Sequence, residues 1–274
     1  MQTPGGSYAE YGVAPAHTTA LLPPSSSFEE GATIPLAALT AVVGLYAADR
    51  LGLPQPWVKA TKSSPLLVYG AASAVGSFAI QLAQKRNIHP IIAVAGKAQA
   101  HVEALIDRSK GDTIVDYRNG NEAVVQGIRD ALKGAKLEHA FDCVSEKEKG
   151  SPGNIAQVLD PQTGKVTFVL PDASKGITMA PSEKTLFDGY SDSVKRSFTG
   201  VGGVHEDQKD LGYVYMRYFS RGLAEGWFKA HPQEVIPGGL GGIQQGLENL
   251  KNGKASAVKY VFRVSETEGA GSGK

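Results

Sequence analysis

Short apolar runs alternate with longer segments of helical periodicity in the central part of the chain. The runs Leu66–Gly70 and Pro90–Ala95 contain almost no polar side chains, which is typical of strands buried on both faces of a parallel sheet. Between them, Phe78 and Leu82 lie one helical turn apart within the segment Val75–Arg86, which predicts a helix with one apolar face.

The same alternation continues for about a hundred residues. The predicted strands are Leu66–Gly70, Pro90–Ala95, Thr113–Tyr117, Leu137–Val144 and Lys165–Leu170. The predicted helices are Val75–Arg86, Ala98–Arg108, Glu122–Leu132 and Asn154–Leu159. Strands that alternate with helices of this length predict an α/β fold, a Rossmann-type doubly wound parallel sheet with right-handed crossovers.

The flanking regions follow other patterns. On the N-terminal side we predict a strand over Ser7–Val13, a helix start at Ser27 with Glu30 completing a capping box, and a buried helix within Thr33–Ala48. That apolar stretch contains Pro35 and is shorter than the roughly 20 residues of a membrane span. On the C-terminal side we predict a sixth strand over Val194–Val201, helices over Asp210–Glu225 and Leu240–Lys251, and a last strand over Ala257–Val264.

The composition narrows the class of protein. The 274 residues carry 28 basic and 27 acidic side chains, a net charge of +1, which disfavours bulk phosphate neutralisation of nucleic acid and a polybasic membrane contact. A single cysteine excludes an internal disulfide framework and predicts a cytoplasmic, reducing environment. The 33 glycines exceed the usual ~7% share and fit the tight turns of nucleotide-binding folds.

The first predicted strand runs directly into a loop of small residues. At such a strand–helix turn, backbone N–H groups and the helix N-terminus bind pyrophosphate. The usual G-x-G-x-x-G places glycines where this chain has Ala71, Ser73 and Gly76, so one of the three is present. The alternative is a small-residue turn that only packs a helix on a strand.

The end of the second predicted strand bears on the choice of cofactor. An NAD-binding chain carries Asp or Glu there for the ribose hydroxyls, whereas this sequence has Gly96 and Lys97. A lysine attracts the 2′-phosphate that a carboxylate repels, so we predict NADPH. The alternative is a solvated lysine in the first turn of a helix, although a cation is unfavourable at that position.

Several motifs together resemble the medium-chain dehydrogenase/reductases. They are Gly5–Tyr11, Leu21–Pro23, Ser27–Ala41, Leu67–Gly76, Val115–Arg118, Phe141–Val144 and Val235–Leu240. Within that family the chain is most similar to the zinc-independent branch, which includes quinone oxidoreductases and trans-acting enoyl reductases that serve polyketide synthases.

The resemblance implies two domains, of which the catalytic domain is shortened. It implies a partial GroES-like, β-rich catalytic domain at residues 1–38, an NADP-binding Rossmann domain at 39–203, a return to the catalytic domain at 204–264 and a flexible tail at 265–274. Family members have a long segment before the Gly5–Tyr11 motif, so the front of the catalytic domain is expected to be absent from this chain.

The resemblance also implies site residues. The implied NADPH-binding residues are Ala72, Ser73, Ala74, Val75, Gly76, Gly96, Lys97, Tyr117, Val169, Leu170, Pro171, Ala255 and Ser256. Thr40 falls where the family lines the nicotinamide pocket. Tyr117 is equally well explained as an ordinary aromatic at a strand end. No metal is expected, because the segment Pro35–Thr40 lacks the cysteine of the zinc enzymes and Cys143 is interpreted as a buried small residue of the fourth strand.

These expectations combine into one function with two alternatives. We expect NADPH-dependent reduction of an activated C=C bond, in an enoyl, enone or quinone substrate, by hydride transfer without zinc. One alternative is a chain that binds NADPH but is weakly active or inactive. The other is a trans-acting subunit whose substrate arrives tethered to a carrier of a polyketide synthase. The sequence assigns no catalytic proton donor and leaves a homodimer open.

Overall fold

The computed structural model describes residues 6–169 and 187–271 of the chain. The chain divides into two compact units. One unit is Ala37–Gly203, and the other combines Met1–Leu36 with Val204–Lys274. The first unit is therefore inserted between two segments that pack with each other.

The inserted unit is built on a sheet of six parallel strands. The strands are β1 (Leu66–Tyr69), β2 (Ile91–Ala95), β3 (Thr113–Asp116), β4 (His139–Asp142), β5 (Lys165–Phe168) and β6 (Lys195–Phe198). Their order across the sheet is β3-β2-β1-β4-β5-β6, with every neighbouring pair parallel. This is the strand order of a dinucleotide-binding fold, and it confirms the predicted doubly wound parallel sheet.

Helices pack against strands of this sheet. The helices of the unit are α2 (Pro35–Tyr46), α3 (Ala74–Arg86), α4 (Gln99–Glu103), α5 (Asn121–Leu132) and α6 (Ser151–Ala156). Every residue of α2 from Ala37 to Tyr46 is buried, as predicted for the apolar stretch. A Cβ at Gly44 would lie 2.4 Å from Phe141 Cζ, so α2 approaches β4 closely where it has no side chain.

The other unit joins the two ends of the chain. It contains α1 (Phe28–Ala32), α7 (Lys209–Glu225), α8 (Ile243–Lys251) and a parallel pair of short strands, β7 (Gln233–Val235) and β8 (Lys259–Val261). The predicted capping box is confirmed, because Ser27 and Glu30 exchange side-chain and backbone hydrogen bonds at the start of α1. The His231 N–H donates to Thr33 Oγ1 at 3.2 Å and joins segments almost 200 positions apart.

Three local predictions are wrong. Residues Ser7–Val13 form bends rather than a strand, with Tyr11 89% exposed, since no neighbouring strand in the described residues pairs with them. The helix predicted over Ala98–Arg108 is limited to α4, and a 3-10 turn follows where Asp107 accepts the Ser109 N–H. Cys143 lies in the turn after β4 and is partly exposed, not inside the strand.

None of the helices in the described residues combines the length and the hydropathy that a membrane span requires.

Candidate cofactor site

The loop between β1 and α3 makes a tight turn at the carboxyl edge of the sheet. Gly70 has a φ of +77°, which allows the chain to reverse directly after Tyr69. The N–H groups of Gly70 and Ala71 both donate to the Val94 carbonyl, at 3.0 and 2.9 Å, and fasten the loop to β2. Ser73 then caps α3, its hydroxyl accepting the Gly76 N–H at 3.1 Å.

Gly76 lies against the backbone of its own loop. A Cβ at this position would lie 2.5 Å from the Gly70 carbonyl oxygen and 2.9 Å from Ala71 Cα. Real Cβ atoms do not come so close to backbone atoms, and neither atom can move without opening the turn. Glycine is therefore required at the single motif position that retains it.

The first turn of α3 has the geometry of an anion site. Ala74 and Val75 are its first two residues, and N–H groups at such positions have no partner within a helix. Residues 72–75 are partly exposed, whereas Gly76 beneath them is buried. A helix of 13 residues also places partial positive charge at this end. The predicted pyrophosphate residues thus form one surface that fits the group.

The predicted 2′-phosphate residues also lie together. Gly96 follows β2 and is buried, and Lys97 next to it is exposed. The Tyr117 ring packs on Gly96 so closely that a Cβ there would lie 2.5 Å from the ring Cζ and 2.6 Å from the hydroxyl oxygen. Tyr117 itself remains 49% exposed. Sheet order explains the contact, because Ala95 at the end of β2 pairs with Asp116 at the end of β3.

The sequence interpretation did not assign a second cation at this corner. Arg118 holds Asp116 in a two-point ion pair, with Nε donating to Oδ1 at 2.9 Å and Nη2 donating to Oδ2 at 2.6 Å. The guanidinium and the Gln99 amide, 2.7 Å from the same carboxylate, lower the pKa of Asp116 to about 2. The acid at this corner is therefore neutralised locally. The sequence signal that could have identified Arg118 is its position directly after Tyr117.

A serine–histidine pair, also unassigned from the sequence, joins the loop to α4. The Ser77 hydroxyl donates to the Ala71 carbonyl at 3.3 Å and lies 2.9 Å from His101 Nε2. Burial lowers the pKa of His101, which favours the neutral imidazole. The pair links the pyrophosphate loop to the helix that follows Lys97. No sequence motif marks it, because the two residues are 24 positions apart.

Asp142 organises the carboxyl ends of β4 and β5. Its buried carboxylate accepts the N–H groups of Val144 and Ser145 at 2.9 and 2.8 Å and the Ser151 hydroxyl at 2.7 Å. The Ser145 hydroxyl donates to the Asp142 carbonyl at 2.8 Å and accepts the Val169 N–H at 3.0 Å. Val169, which the resemblance places on the nicotinamide side, is thus fixed through this turn.

The remaining predicted residues stay predictions. Leu170 and Pro171 lie outside the described residues. Thr40 is buried within α2. Ala255 and Ser256 precede β8 and belong to the other unit, so their role stays a prediction.

Metal-ligating side chains are scattered in the part of the chain that the structure describes. Within residues 6–169 and 187–271 no three His, Cys, Asp or Glu side chains come together in a way that could hold a metal ion. Although the Cys143 residue is partly exposed, desolvation of its thiol and the neighbouring Asp142 carboxyl raise the pKa of the thiol well above its ordinary value, which keeps it protonated rather than thiolate.

Comparison with known proteins identifies relatives in one group. The chain is 51% identical over 238 residues to the trans-enoyl reductase fsr4 of Gibberella fujikuroi, which covers 86% of this chain and 65% of the relative. It is 31% identical to the trans-enoyl reductase ACTTS2 of Alternaria alternata, covering 94% of this chain and 71% of that protein. The chain thus spans slightly less than two thirds of the length of fsr4. No family model matches the sequence.

Solved structures agree on the fold. The CurK enoyl reductase superposes with a TM-score of 0.66 at 19% identity, covering 90% of this chain and 67% of that one. An NAD-dependent alcohol dehydrogenase superposes with a TM-score of 0.62 at 24% identity, covering 90% and 62%. Together with the relatives, these likenesses agree with the motifs quoted above. The chain belongs to the trans-enoyl reductase family.

Proposed function

We propose that this protein uses NADPH to reduce the activated C=C bond of an enoyl thioester, without zinc. The observation that carries the proposal is the loop at Gly76 together with the basic corner at Lys97 and Tyr117. The relatives named as trans-enoyl reductases support the enoyl substrate. The resemblance to the zinc-independent branch that serves polyketide synthases points to such a synthase as the source of that substrate. Quinones and enones also contain a C=C bond conjugated to a carbonyl group, and they are the other hydride acceptors that this reaction could use.

The residues present fit NADPH better than NADH. The corner beyond β2 offers the Lys97 ammonium and the face of Tyr117, and no carboxylate follows β2 before Glu103. The nearby Asp116 is paired with Arg118 and leaves the corner positive. A 2′-phosphate gains from that charge, whereas a free ribose hydroxyl lacks its usual acceptor.

In this proposal, residues of the protein position the cofactor and the substrate, and no metal ion polarises the substrate. When bound, the reduced nicotinamide would supply a hydride to the β-carbon of the substrate. The N–H groups of Ala74 and Val75 would hold the pyrophosphate, and the Asp142 turn would fix the backbone at Val169. Conjugation to the thioester carbonyl spreads the developing negative charge onto oxygen, where hydrogen bonds stabilise it, and the α-carbon then takes a proton from solvent or from a side chain to give the saturated thioester. The segment of α2, where zinc relatives place a ligand, contains no Cys or His.

A second candidate function is a protein that binds NADPH and does not catalyse the reduction. NADPH fluorescence titration and NADPH oxidation, measured with a short trans-2-enoyl N-acetylcysteamine thioester, separate the two. Oxidation coupled to appearance of the saturated thioester supports the reductase. Binding without oxidation contradicts it and supports the second function.

The cofactor preference is tested by Lys97→Ala. Removing the ammonium should weaken NADPH binding about tenfold, or about 1.4 kcal/mol, and leave NADH binding unchanged. Lys195→Ala is the matched control, because it removes an exposed lysine from β6, at the opposite edge of the sheet from β3. Equal NADPH affinity in both variants would refute the assignment of Lys97.

A further inference from the structure

Helix α4 is too short to hold its own position. It has five residues, and its capping residue Ala98 has no side-chain acceptor for the first N–H groups of the helix. Isolated helices of this length are unstable in water, so contacts with neighbouring elements must fix it. The position of Lys97, which directly precedes Ala98, therefore depends on those contacts.

Two side-chain hydrogen bonds fasten α4 to two different elements. Gln99 Nε2 donates to Oδ2 of Asp116, the last residue of β3, at 2.7 Å. His101 Nε2 lies 2.9 Å from the hydroxyl oxygen of Ser77 in α3. Val102 adds a fully buried side chain, but apolar burial has no preferred direction. The two hydrogen bonds therefore set the orientation of α4.

The Ser77 hydroxyl connects α4 to the turn that carries the pyrophosphate residues. Ser77 is 1% exposed, and its one hydroxyl proton is donated to the Ala71 carbonyl at 3.3 Å. His101 Nε2 must then carry a proton and donate to Ser77. The Ala71 N–H in turn donates to the Val94 carbonyl at 2.9 Å. One chain of hydrogen bonds thus runs from β2 through the loop to α4.

We propose that Ser77 and His101 are positioning residues that hold Lys97 at the 2′-phosphate corner and so set the preference for NADPH over NADH. The inference rests on the proposed function in assigning the 2′-phosphate to Lys97. Both residues act through α4 rather than by contact with the cofactor, because Ser77 is buried and the Nε2 of His101 is bonded to it. Burial also lowers the pKa of His101, so its neutral ring adds no charge to the corner near pH 7.

A purely structural role of the pair gives a different pattern of binding. A disturbed pyrophosphate loop weakens NADPH and NADH together, because both cofactors contain the pyrophosphate. A displaced Lys97 weakens only the cofactor that carries a 2′-phosphate. The ratio of the two dissociation constants therefore separates the two roles.

The test titrates NADPH and NADH into variants of the full chain, followed by fluorescence. His101→Leu removes the donor to Ser77, whereas His101→Gln offers an amide that can donate in its place. Ser77→Ala removes the other end of the bond. Ser63→Ala is the matched control, because the Ser63 hydroxyl also donates to a backbone carbonyl at 3.3 Å, that of His89 at the amino edge of the sheet. Thermal unfolding confirms that each variant is folded.

We expect His101→Leu to lower the affinity for NADPH relative to NADH about threefold to tenfold, as the loss of one hydrogen bond implies. His101→Gln should restore most of the preference, and Ser63→Ala should retain all of it. Ser77→Ala should lose the preference to a similar extent and also weaken both cofactors. His101→Leu should have no further effect in Lys97→Ala, because the group that it positions is already absent.

Several outcomes would overturn the proposal. The first is equal weakening of NADPH and NADH in His101→Leu. The second is a loss in His101→Gln as large as that in His101→Leu. The third is an additive loss when His101→Leu is combined with Lys97→Ala. An unchanged ratio in Ser77→Ala overturns it as well, whether or not His101→Leu folds.

Failure of the proposed function gives a different result. The ratio is measured by binding alone, without an enoyl substrate. If no variant reduces the N-acetylcysteamine thioester, but His101→Leu loses the NADPH preference and His101→Gln keeps it, the reductase is refuted and the positioning pair stands. Unchanged NADPH affinity in Lys97→Ala refutes the cofactor assignment, and the proposal with it.

Discussion

Gly76 explains why a loop with one of three expected glycines still has the geometry for a pyrophosphate. The turn that the first glycine of the motif usually makes is made one residue earlier by Gly70, at a φ of +77°. Ala71 can then be fully buried, and Ser73 in extended conformation contributes a capping hydroxyl. Only the third position, where helix and strand backbones meet, tolerates no side chain.

Gly76→Ala adds only one methyl group, but it should disturb the loop strongly. The added methyl group must displace the backbone of Gly70 or Ala71, at a cost of about 1–3 kcal/mol in the free energy of unfolding. We expect NADPH affinity to fall at least about tenfold, as measured by fluorescence titration beside urea unfolding.

Gly153→Ala is the control for that change. Gly153 lies in α6 with nothing within 4 Å of an added Cβ, so alanine there should be neutral or slightly stabilising. If Gly76→Ala behaves like Gly153→Ala in both measurements, the close approach does not constrain the loop.

At the scale of elements, the turn after β4 depends on a carboxyl group that burial keeps partly protonated near neutral pH. Burial raises the pKa of Asp142 to about 6, although the N–H groups of Ser145 and Val144 and the Ser151 hydroxyl favour the charged form. An unfolded aspartate titrates near 3.9. Asp142 therefore contributes stability that is fully present below about pH 4 and lost as the pH rises through 6.

Asp142→Asn should remove this dependence. The amide oxygen can still accept the turn N–H groups, and its charge does not change with pH. The stability of the natural protein relative to the variant should fall by about 2 kcal/mol between pH 4 and pH 7, as a shift of about two pH units implies. Urea unfolding of both proteins at four pH values measures it. A constant difference across that range would contradict the role given to burial.

The elements that could be predicted are those whose pattern is set by burial. The strands around Leu67 and Ile92 are apolar on both faces, and the capping box at Ser27 is a local signal. The Ser7–Val13 segment has strand-forming residues, but no strand among residues 6–169 and 187–271 pairs with it. Helix α4 ends at Glu103, and the chain then turns where the Asp107 N–H donates to the Asp112 carboxylate, five residues beyond Asp107.

The contacts of the site were less predictable than its residues. The resemblance named both Gly96 and Tyr117, but the packing of one on the other depends on the pairing of β2 with β3. The hydrogen bonds of Asp142 with Ser151 and of Ser145 with Val169 join separate turns. Such partners are set by three-dimensional register, which no spacing along the chain encodes.

For the whole molecule, the inserted unit contains nearly all the residues proposed to hold NADPH. Residues 35–203, produced alone, should fold cooperatively, because the six strands and α2–α6 bury a core of their own. We expect NADPH affinity within about tenfold of the full chain, measured by fluorescence titration.

Lys97→Ala in the same fragment should weaken that binding as it does in the full chain, and so checks that the binding is specific. A fragment without a cooperative unfolding transition, or one that binds no NADPH, would mean that the inserted unit depends on the rest of the chain.

The pairing of the chain's two ends has a consequence for its synthesis. Leu21 accepts the Ser220 hydroxyl at 2.6 Å and Glu29 accepts Arg263 Nε at 2.7 Å, across separations of 199 and 234 residues. A ribosome releases the inserted unit long before those partners emerge, and domains generally fold as units in that order. The segment that contains Leu21 and Glu29 must then wait until Ser220 and Arg263 have emerged before it can complete these contacts.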